Sequence, residues 1–219
     1  MLFRVVAIAG LAIAVAACDA SEPASAPKGS GFDFYVLSLS WSPSYCEAEG
    51  DNANQQQCGG ERRYGFVVHG LWPQFEKGYP EFCTDNSAWV EADIEDGFLD
   101  IMPSRALIRH QWNKHGTCSG LSQGDYFATL RAAHDRINKP LIGSGDGSYR
   151  MVSPGDIAAA FQASNPDLGS EHFAVTCDWR RLREVRICMT VDLLYRPCPD
   201  VTRRHCRRPS IVVPPSRGG

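Results

Sequence analysis

An alternating pattern of hydrophobic and polar positions opens the folded region, from Phe32 to Trp41. The apolar positions are Tyr35, Leu37, Leu39 and Trp41. Ser38 and Ser40 fall on the opposite face of an extended chain. This period of two residues predicts a half-buried β-strand. A second strand is predicted from Tyr64 to His69, apolar enough to be central in a sheet, and it would end just before a Gly-Leu-Trp-Pro loop.

Three segments in the middle of the chain carry the start and stop signals of helices. The predicted helices run from Ser104 through His115, from Ser122 with Asp125 to near Lys139-Pro140, and from Ser153-Pro154 to Asn165-Pro166. Serine is a favoured N-cap because its side-chain oxygen accepts a hydrogen bond from an otherwise unpaired backbone amide. Proline fits the first helical position, and Gly116 is expected to stop the first helix.

Strand-like patterns return towards the C-terminus, at residues 172–179 and 183–195. Apolar residues in the second segment alternate with mostly polar neighbours, and they are Val185, Ile187, Met189, Val191, Leu193 and Tyr195. Residues 203–219 are basic and then proline-rich, which is typical of a loose tail. Strands first, helices in the middle and strands last predict an α+β fold, with a mainly antiparallel central sheet flanked by helices.

The N-terminal segment is typical of an export signal. A short basic start precedes the apolar run Val5–Ala17, whose 13 residues are too few to span a bilayer as a helix. The sequence Val15-Ala-Ala-Cys18 then resembles a bacterial lipoprotein processing box, in which Cys18 becomes the lipid-modified first residue. Ordinary secretory cleavage near Ala16 or Ala17 is the alternative. We therefore expect an exported protein, either periplasmic or anchored to a membrane by its lipid, or else secreted.

Length and composition favour one domain. The 219 residues are 43% hydrophobic, which is enough for a single sizeable core. The expected organisation is a signal peptide at 1–17, a flexible tether at 18–31, a folded domain at 32–206 and the tail at 207–219. The net charge of −3 excludes a basic coat for nucleic acid, so a local cluster must hold any anionic substrate.

Nine cysteines fit an exported chain. Without Cys18 eight remain, namely Cys46, Cys58, Cys83, Cys118, Cys177, Cys188, Cys198 and Cys206. An even number of cysteines in such a chain predicts four disulfides, although roughly a hundred pairings are possible and spacing alone does not choose among them. Zinc ligation is the competing interpretation, but the short spacing of common zinc knuckles is missing.

Two short segments, Phe66–Pro73 and Arg109–Cys118, concentrate the residues that carry chemistry. The candidates are His69 in the first segment and His110, Gln111, Lys114 and His115 in the second. Two imidazoles and a fixed cation are enough to cleave RNA without a metal. One ring takes the proton of the ribose 2′-hydroxyl, the other protonates the departing 5′-oxygen, and cations stabilise the charge on phosphorus.

The predicted helix would bring the second cluster together. His110 and Lys114 are four residues apart, so they share one face, and the same spacing joins Gln111 to His115. All four side chains can then converge on one anion. His115 would lie at the helix C-terminus, where the dipole favours the protonated ring. A zinc-binding helix would need histidines four apart, whereas here they are five apart.

Both segments, in this order on an exported chain with many cysteines, resemble the ribonuclease T2 family. The signatures of that family are His-Gly-Leu-Trp-Pro and His-Glu-x-x-Lys-His-Gly-Thr-Cys. The segment Phe34–Cys46 is similar to the family's first strand and first cysteine, and Leu182–Cys188 is similar to its late strand. The resemblance runs from about Phe32 to Cys206, which is nearly the whole mature chain.

The resemblance implies a metal-independent endoribonuclease of low base specificity that needs no cofactor. It would cleave single-stranded RNA through a 2′,3′-cyclic phosphate. At the matching positions, His115 would be the general base and His69 the general acid. His110 and Lys114 would bind the phosphate. Trp72 would lie against the ribose or base, because stacking on an aromatic ring tolerates any base.

Two positions depart from the family pattern. Gln111 stands where the family usually has glutamate, so the charge that could tune neighbouring histidines is lost while the shape is kept. The alternative function is therefore a catalytically weakened lipoprotein that binds RNA or another anion. Gln74 stands where relatives often carry aspartate in the base site, which leaves base preference open. Tyr79 is a further candidate for stacking on a base.

The family also implies a disulfide pattern and a set of partners. The implied pairs are Cys46–Cys58, Cys83–Cys118, and Cys177–Cys206 enclosing Cys188–Cys198. Single-stranded RNA is the expected partner of a monomer that holds no metal and meets a membrane only through its N-terminal lipid. A metal-dependent phosphodiesterase is a third possibility, but the chain offers no cluster of acidic residues near its histidines.

Overall fold

The computed structural model describes residues 26–84, 89–143 and 146–216. The predicted signal peptide, Cys18 and most of the predicted tether lie outside the described residues. The described end of that tether is attached to the domain, because Thr129 Oγ1 donates to the carbonyl of Pro27 at 2.8 Å and the amide of Ser30 donates to Ser119 at 2.9 Å. The prediction of a flexible tether up to residue 31 is therefore wrong for this last part.

Six strands and seven α-helices make up the described fold. The strands are β1 (Phe34–Trp41), β2 (Phe66–Gln74), β3 (Arg150–Val152), β4 (Phe173–Cys177), β5 (Leu182–Met189) and β6 (Ile211–Val213). The helices are α1 (Ser42–Glu49), α2 (Gln55–Cys58), α3 (Ala92–Phe98), α4 (Arg105–Lys114), α5 (Gln123–Asp135), α6 (Pro154–Ser164) and α7 (Pro199–Thr202). Within the described ranges, no helix is long and apolar enough to cross a bilayer.

The central sheet has the strand order β2-β1-β5-β4, and every neighbouring pair is antiparallel. The predicted α+β class with a mainly antiparallel sheet is confirmed. A second sheet pairs β3 with β6. The prediction of a loose tail is therefore wrong for its central part, because Ile211 and Val213 are fully buried against the main core. Burial of these apolar side chains outweighs the basic and proline-rich composition around them.

Strand β1 is buried on both faces, so the prediction of a half-buried strand is wrong. Leu37 and Leu39 face the main core together with the helices. Phe34 and Val36 pack on the opposite face in a smaller cluster, whose other members are Ala174, Cys188, Cys198 and Val201. This second face is covered because the Cys188–Cys198 disulfide holds the segment after β5 against the sheet.

Strand β2 lies at an edge of the sheet, and it does not end at His69. It continues through the predicted Gly-Leu-Trp-Pro loop to Gln74 and pairs with β1 on both sides of one bulged residue. The position at the edge and the greater length of the strand have the same cause. A continuous apolar run indicates burial on two faces, and here α5 supplies that burial at the edge, where the Tyr126 hydroxyl donates to the carbonyl of Leu71 at 2.8 Å.

The three predicted serine N-caps are confirmed. Ser104, Ser122 and Ser153 each accept a hydrogen bond from the backbone amide three residues later. Helix α5 ends at Asp135, earlier than predicted, because the Asn165 side chain bonds to the backbone of Asn138 in the segment that follows.

Strand β5 also ends earlier than the alternating pattern predicted. Its last residue is Met189, and the chain then turns through Thr190–Leu194 with Leu193 in the left-handed region at φ 61°. The alternation of apolar residues continues through this turn, but the backbone hydrogen bonds of β5 do not.

The four disulfides join the pairs that the family resemblance implied: Cys46–Cys58, Cys83–Cys118, Cys177–Cys206 and Cys188–Cys198. Each can stabilise the fold by about 2–4 kcal/mol, mainly because it restricts the unfolded chain. The second pair ties the loop after β2 to the turn after α4. The last two hold the segment around α7 against β4 and β5.

Candidate active site

A β-bulge in β2 determines where His69 lies. Ser38 pairs with Gly70 and Leu39 pairs with Val68, so the register between β1 and β2 shifts and His69 has no partner opposite it. Val68 faces the main core. The extra residue directs the His69 side chain to the other face of the sheet, where it is 36% exposed. Bulges commonly redirect a side chain next to a functional site.

Glu184 on β5 holds the His69 ring from across β1. Nδ1 of His69 lies 2.5 Å from Oε1 of Glu184. The strand between them carries Ser38 and Ser40, whose partners on β5 are Arg186 and Glu184. Because two strands in a sheet with one strand between them are about 10 Å apart, only small residues on that middle strand let two longer side chains meet. The serines of β1 therefore make this contact possible.

The Glu184 carboxylate is buried and ionised. Burial alone would raise its pKa, but the hydrogen bond and charge of His69, together with Arg186, lower the pKa to about 2. Arg186 donates to Oε2 of Glu184 through Nε at 2.8 Å and Nη2 at 2.7 Å. The carboxylate therefore has one oxygen for the histidine and one for the arginine.

Helix α4 delivers the second cluster to the same cleft. Its apolar face buries Ile108 and Trp112 in the core, which leaves the opposite face towards β2. Across the helix, Glu95 of α3 is buried and ionised, and it pairs with Arg105 and Arg109. Burial raises the pKa of this carboxyl, but the hydrogen bond from Arg109 is the largest effect and the pKa is lowered overall. This ion-pair cluster fixes α4 against α3.

His115 caps the C-terminus of α4 and is only 5% exposed. Burial lowers its pKa to about 3, and the positive charges of Lys114, His69 and His110 act in the same direction. The helix dipole favours the protonated ring, but desolvation and the neighbouring cations outweigh it. The pKa of His110 is lowered for the same reasons, with burial as the largest cause.

The neutral ring of His115 has one nitrogen available to a ligand. Nδ1 is buried and has no hydrogen-bond partner among the described residues. That leaves Nε2 as the nitrogen that a molecule in the cleft can reach. Because the ring is neutral at ordinary pH, Nε2 can accept a proton.

Trp72 lies between the two histidines. Its ring centroid is 5.3 Å from that of His69 and 5.4 Å from that of His115. Its indole Nε1 donates to Oε1 of Gln111 at 2.8 Å, and the Arg186 guanidinium lies 5.2 Å from the ring centroid. Because an indole N–H can only donate, this bond fixes which end of the Gln111 amide is the oxygen.

Gly70 is the small residue that lets these groups approach. A Cβ at this position would lie 2.1 Å from Oε1 of Gln111 and 2.5 Å from Nε1 of Trp72. Neither atom can move away without breaking the bond between them. The glycine after His69 is therefore required by the close approach of α4 to β2.

All the predicted site residues line one cleft, with a cavity volume of about 430 Å³. They are His69, Trp72, Gln74, Tyr79, His110, Gln111, Lys114 and His115. Tyr79 is 49% exposed and its ring centroid lies 6.3 Å from that of His115. Lys114 is held by Glu81, with Nζ 3.3 Å from Oε2.

Among the described residues, no group of three or more acidic, histidine or cysteine side chains is placed to hold a metal.

Three residues of this cleft were missed by the sequence analysis: Glu184, Arg186 and Arg204. Arg186 and Arg204 line its wall, and Glu184 supports it from behind His69. A signal for the first two was present, because the charged residues at 184 and 186 alternate with the apolar residues Val185 and Ile187. That spacing places both on one face. The contact between Glu184 and His69 across the sheet could not be predicted without the register of the strands.

The comparisons with known proteins agree with this geometry. The chain matches the model of the ribonuclease T2 family over residues 32–198. It is 37% identical over 165 residues to a ribonuclease of Aeromonas hydrophila, which covers 74% of this chain and 73% of the relative. It is 30% identical over 200 residues to ribonuclease DdI of Dictyostelium discoideum, which covers 82% of this chain and 83% of that protein.

Solved structures share the fold. An RNase-related protein from Calystegia sepium superposes with a TM-score of 0.65 at 21% identity, covering 86% of this chain and 100% of the other. RNase NT, solved in complex with 5′-AMP, superposes with a TM-score of 0.56 at 21% identity, covering 77% and 96%. The family match spans most of the chain and both signature segments meet in one cleft; the chain therefore belongs to the ribonuclease T2 family and is an endoribonuclease of that type.

Proposed function

We propose that the protein cleaves single-stranded RNA by attack of a ribose 2′-hydroxyl on the adjacent phosphate, without a metal. The observation that carries this proposal is the position of two histidines on either side of the Trp72 ring, with ring centroids 5.3 Å and 5.4 Å from it. A phosphodiester in the cleft can then meet a base on one side and an acid on the other. Such a pair of groups is what in-line transesterification requires.

His115 is the general base of the proposed reaction. Its ring is neutral at ordinary pH, because burial lowers its pKa to about 3. Nε2 takes the proton of the 2′-hydroxyl as the bond between O2′ and phosphorus forms. A base of such low pKa is weak, so the reaction depends on charge stabilisation in the cleft to make the proton transfer favourable.

His69 is the general acid. Nδ1 is occupied by Glu184, so Nε2 is the nitrogen that faces substrate, and it donates a proton to O5′ as the bond between phosphorus and O5′ breaks. The products are a 2′,3′-cyclic phosphate and a free 5′-hydroxyl. Glu184 does not touch substrate. It is a positioning residue that holds the ring in place.

Lys114 and His110 bind the phosphate in this proposal, and Lys114 stabilises the added negative charge of the pentacoordinate state. Gln111 keeps the contact that a glutamate would make to Trp72, since its Oε1 accepts from the indole. This retained geometry supports an active enzyme over the alternative of an RNA-binding lipoprotein. The missing charge affects the pKa values of the histidines rather than their positions.

Base recognition is proposed to rest on stacking. Trp72 and Tyr79 offer aromatic surface in the cleft, and stacking accepts any base. The Gln74 amide donates to the carbonyl of Pro73 at 2.9 Å, so this donor is occupied within its own strand. Low base specificity follows from these contacts. DNA is spared because it lacks the attacking hydroxyl.

Incubation of the purified protein with RNA in EDTA tests the proposed function. We expect oligonucleotides that end in a 2′,3′-cyclic phosphate, identified by mass spectrometry. His69→Ala and His115→Ala should each lower the rate by several orders of magnitude while the fold, measured by circular dichroism, survives. Intact RNA that stays bound would favour the alternative, and activity lost only in EDTA would favour a metal-dependent phosphodiesterase.

Export and lipid attachment form a separate proposal, which rests on the sequence of residues 1–18. We propose that cleavage before Cys18 leaves a lipid-modified N-terminus, which anchors a monomeric enzyme to a membrane. Mass spectrometry of the mature protein should show diacylglycerol on Cys18. Release of the Cys18→Ser variant into the soluble fraction is the expected consequence. An unmodified wild-type protein beginning near Cys18 would instead establish ordinary secretion.

A further inference from the structure

An arginine-rich segment borders one side of the cleft. Residues 180–208 contain nine arginines and three acidic residues. This segment includes α7, and Arg186, Val201 and Arg204 are among its residues that line the cleft wall. A polyanion that leaves the cleft on this side meets an excess of positive charge.

Arg204 stands out among these arginines. Five others pair with acidic side chains, namely Arg181 with Glu47, Arg183 with Asp178, Arg186 with Glu184, Arg196 with Glu76 and Arg203 with Asp200. Arg204 lines the cleft, and its side chain has no hydrogen-bond or ion-pair partner within the described part of the chain. An exposed guanidinium in a cleft is suited to two parallel hydrogen bonds with a phosphate.

The segment that carries Arg204 is held in place from both ends. The Cys188–Cys198 disulfide ties its start to β5, and the Cys177–Cys206 disulfide ties its end to β4. The amide of Cys206 also donates to the carbonyl of Val175 at 2.8 Å. The backbone at Arg204 therefore loses little further freedom when the side chain binds a ligand.

The neighbouring acidic residue does not cancel this cation. Asp200 also lines the cleft, but it pairs with Arg203. Arg186, the other arginine of the cleft wall, is bonded to Glu184. The side of the cleft near α7 therefore presents one unpaired positive charge, next to the apolar floor that Phe34 and Val36 form.

We propose that Arg204 forms a second phosphate subsite, which binds a phosphodiester group adjacent to the scissile one in single-stranded RNA. This inference rests on the proposed function, because it concerns the same substrate in the same cleft. The scissile phosphate lies against His110 and Lys114 on α4, so the Arg204 guanidinium, which follows α7, meets a different phosphate. Because of this subsite, the enzyme prefers longer RNA strands over dinucleotides. The preference weakens as the salt concentration rises.

The test compares substrates with and without flanking phosphates. One is a dinucleoside monophosphate, and the other is a single strand of about six nucleotides with one ribonucleotide among deoxynucleotides. Arg204→Ala should lower kcat/KM about tenfold on the longer strand and change it less than about twofold on the dinucleotide. Arg180→Ala is the matched control, because Arg180 is exposed and outside the cleft, and it should change neither value by more than about twofold.

Other outcomes overturn the subsite. Equal losses on both substrates would mean that Arg204 acts on the scissile phosphate or on the fold. No loss on either, or an equal loss in the Arg180→Ala variant, would mean that no local phosphate contact exists. Fluorescence anisotropy with a 2′-O-methyl strand separates this test from catalysis. If the wild-type protein cleaves neither substrate but binds the strand more tightly than Arg204→Ala does, the proposed function fails while the subsite stands.

Discussion

Nδ1 of His69 lies 2.5 Å from Oε1 of Glu184, although 115 residues separate the two in sequence. The contact crosses β1, where two serines leave room for it. It orients one ring nitrogen away from substrate and so leaves the other to act. A carboxylate that bonds one nitrogen of a histidine fixes the orientation of the ring, so its removal should affect turnover more than substrate binding.

The Glu184→Gln variant tests this role. The amide keeps the shape but removes the charged partner of His69 Nδ1. We expect kcat to fall by about tenfold with KM nearly unchanged, because the ring is held less firmly while the phosphate contacts remain. Glu184→Ala, which removes the hydrogen bond as well, should lower kcat further. Initial rates on a dinucleotide at several substrate concentrations are the measurement.

Glu47→Gln is the control for that variant. Glu47 is also a largely buried carboxylate that pairs with an arginine, Arg181, but it does not line the cleft. Its kcat and KM should match those of the wild-type protein. If Glu184→Gln left kcat unchanged, or changed KM alone, the carboxylate would not act through the His69 ring.

Gln111→Glu restores the residue that is typical of the family. A carboxylate at this buried position lies beside His110, Lys114 and His115, and it favours the protonated form of each ring. Because His115 must be neutral to act as a base, the acid limb of the profile should move up by about one pH unit. Gln55→Glu adds the same charge at an exposed position outside the cleft and should leave the profile unchanged. An unmoved acid limb in Gln111→Glu would show that this position does not couple to the histidines.

Gly70→Ala tests the close approach of α4 to β2. The added Cβ would lie 2.1 Å from the Gln111 oxygen, so the bond between Gln111 and Trp72 must break or β2 must shift. We expect kcat/KM to fall by about a hundredfold, since a displacement of about 1 Å in a catalytic site has an effect of that size. Gly97→Ala is the control, because nothing lies within 4 Å of a Cβ there. Near-normal activity of Gly70→Ala would exclude a tight fit at this position.

The low pKa of His115 links stability to pH. The pKa is about 3 in the folded protein and near 6.5 in the unfolded chain, so the unfolded state binds more protons between these values. Stability from this residue is complete above about pH 6.5 and is lost as the pH falls towards 3. Relative to His115→Gln, the wild-type free energy of unfolding should fall by about 2 kcal/mol between about pH 6 and pH 4.

Denaturant unfolding with the disulfides intact measures this difference, and subtraction of the variant removes the contribution of carboxylates such as Glu184. A constant difference between the two proteins across this pH range would mean that His115 is not buried as a neutral ring.

Local signals in the chain were sufficient for much of the fold. Each serine N-cap depends on a hydrogen bond within three residues, so Ser104, Ser122 and Ser153 could be placed without knowledge of any distant contact. The convergence of His110 and Lys114 follows in the same way from the period of a helix. The disulfide pairs and the role of His69 came from resemblance, since spacing alone left them open.

Contacts between distant segments decided the rest. The bulge that turns His69 towards Glu184 depends on the register of β1 with two strands, and register is a property of paired strands rather than of one strand. The same is true of β6, whose burial depends on β3, and of the pKa of His115, which depends on what covers the ring. Local patterns in the sequence do not determine such contacts, because the free energy that selects them comes from packing between residues far apart in sequence.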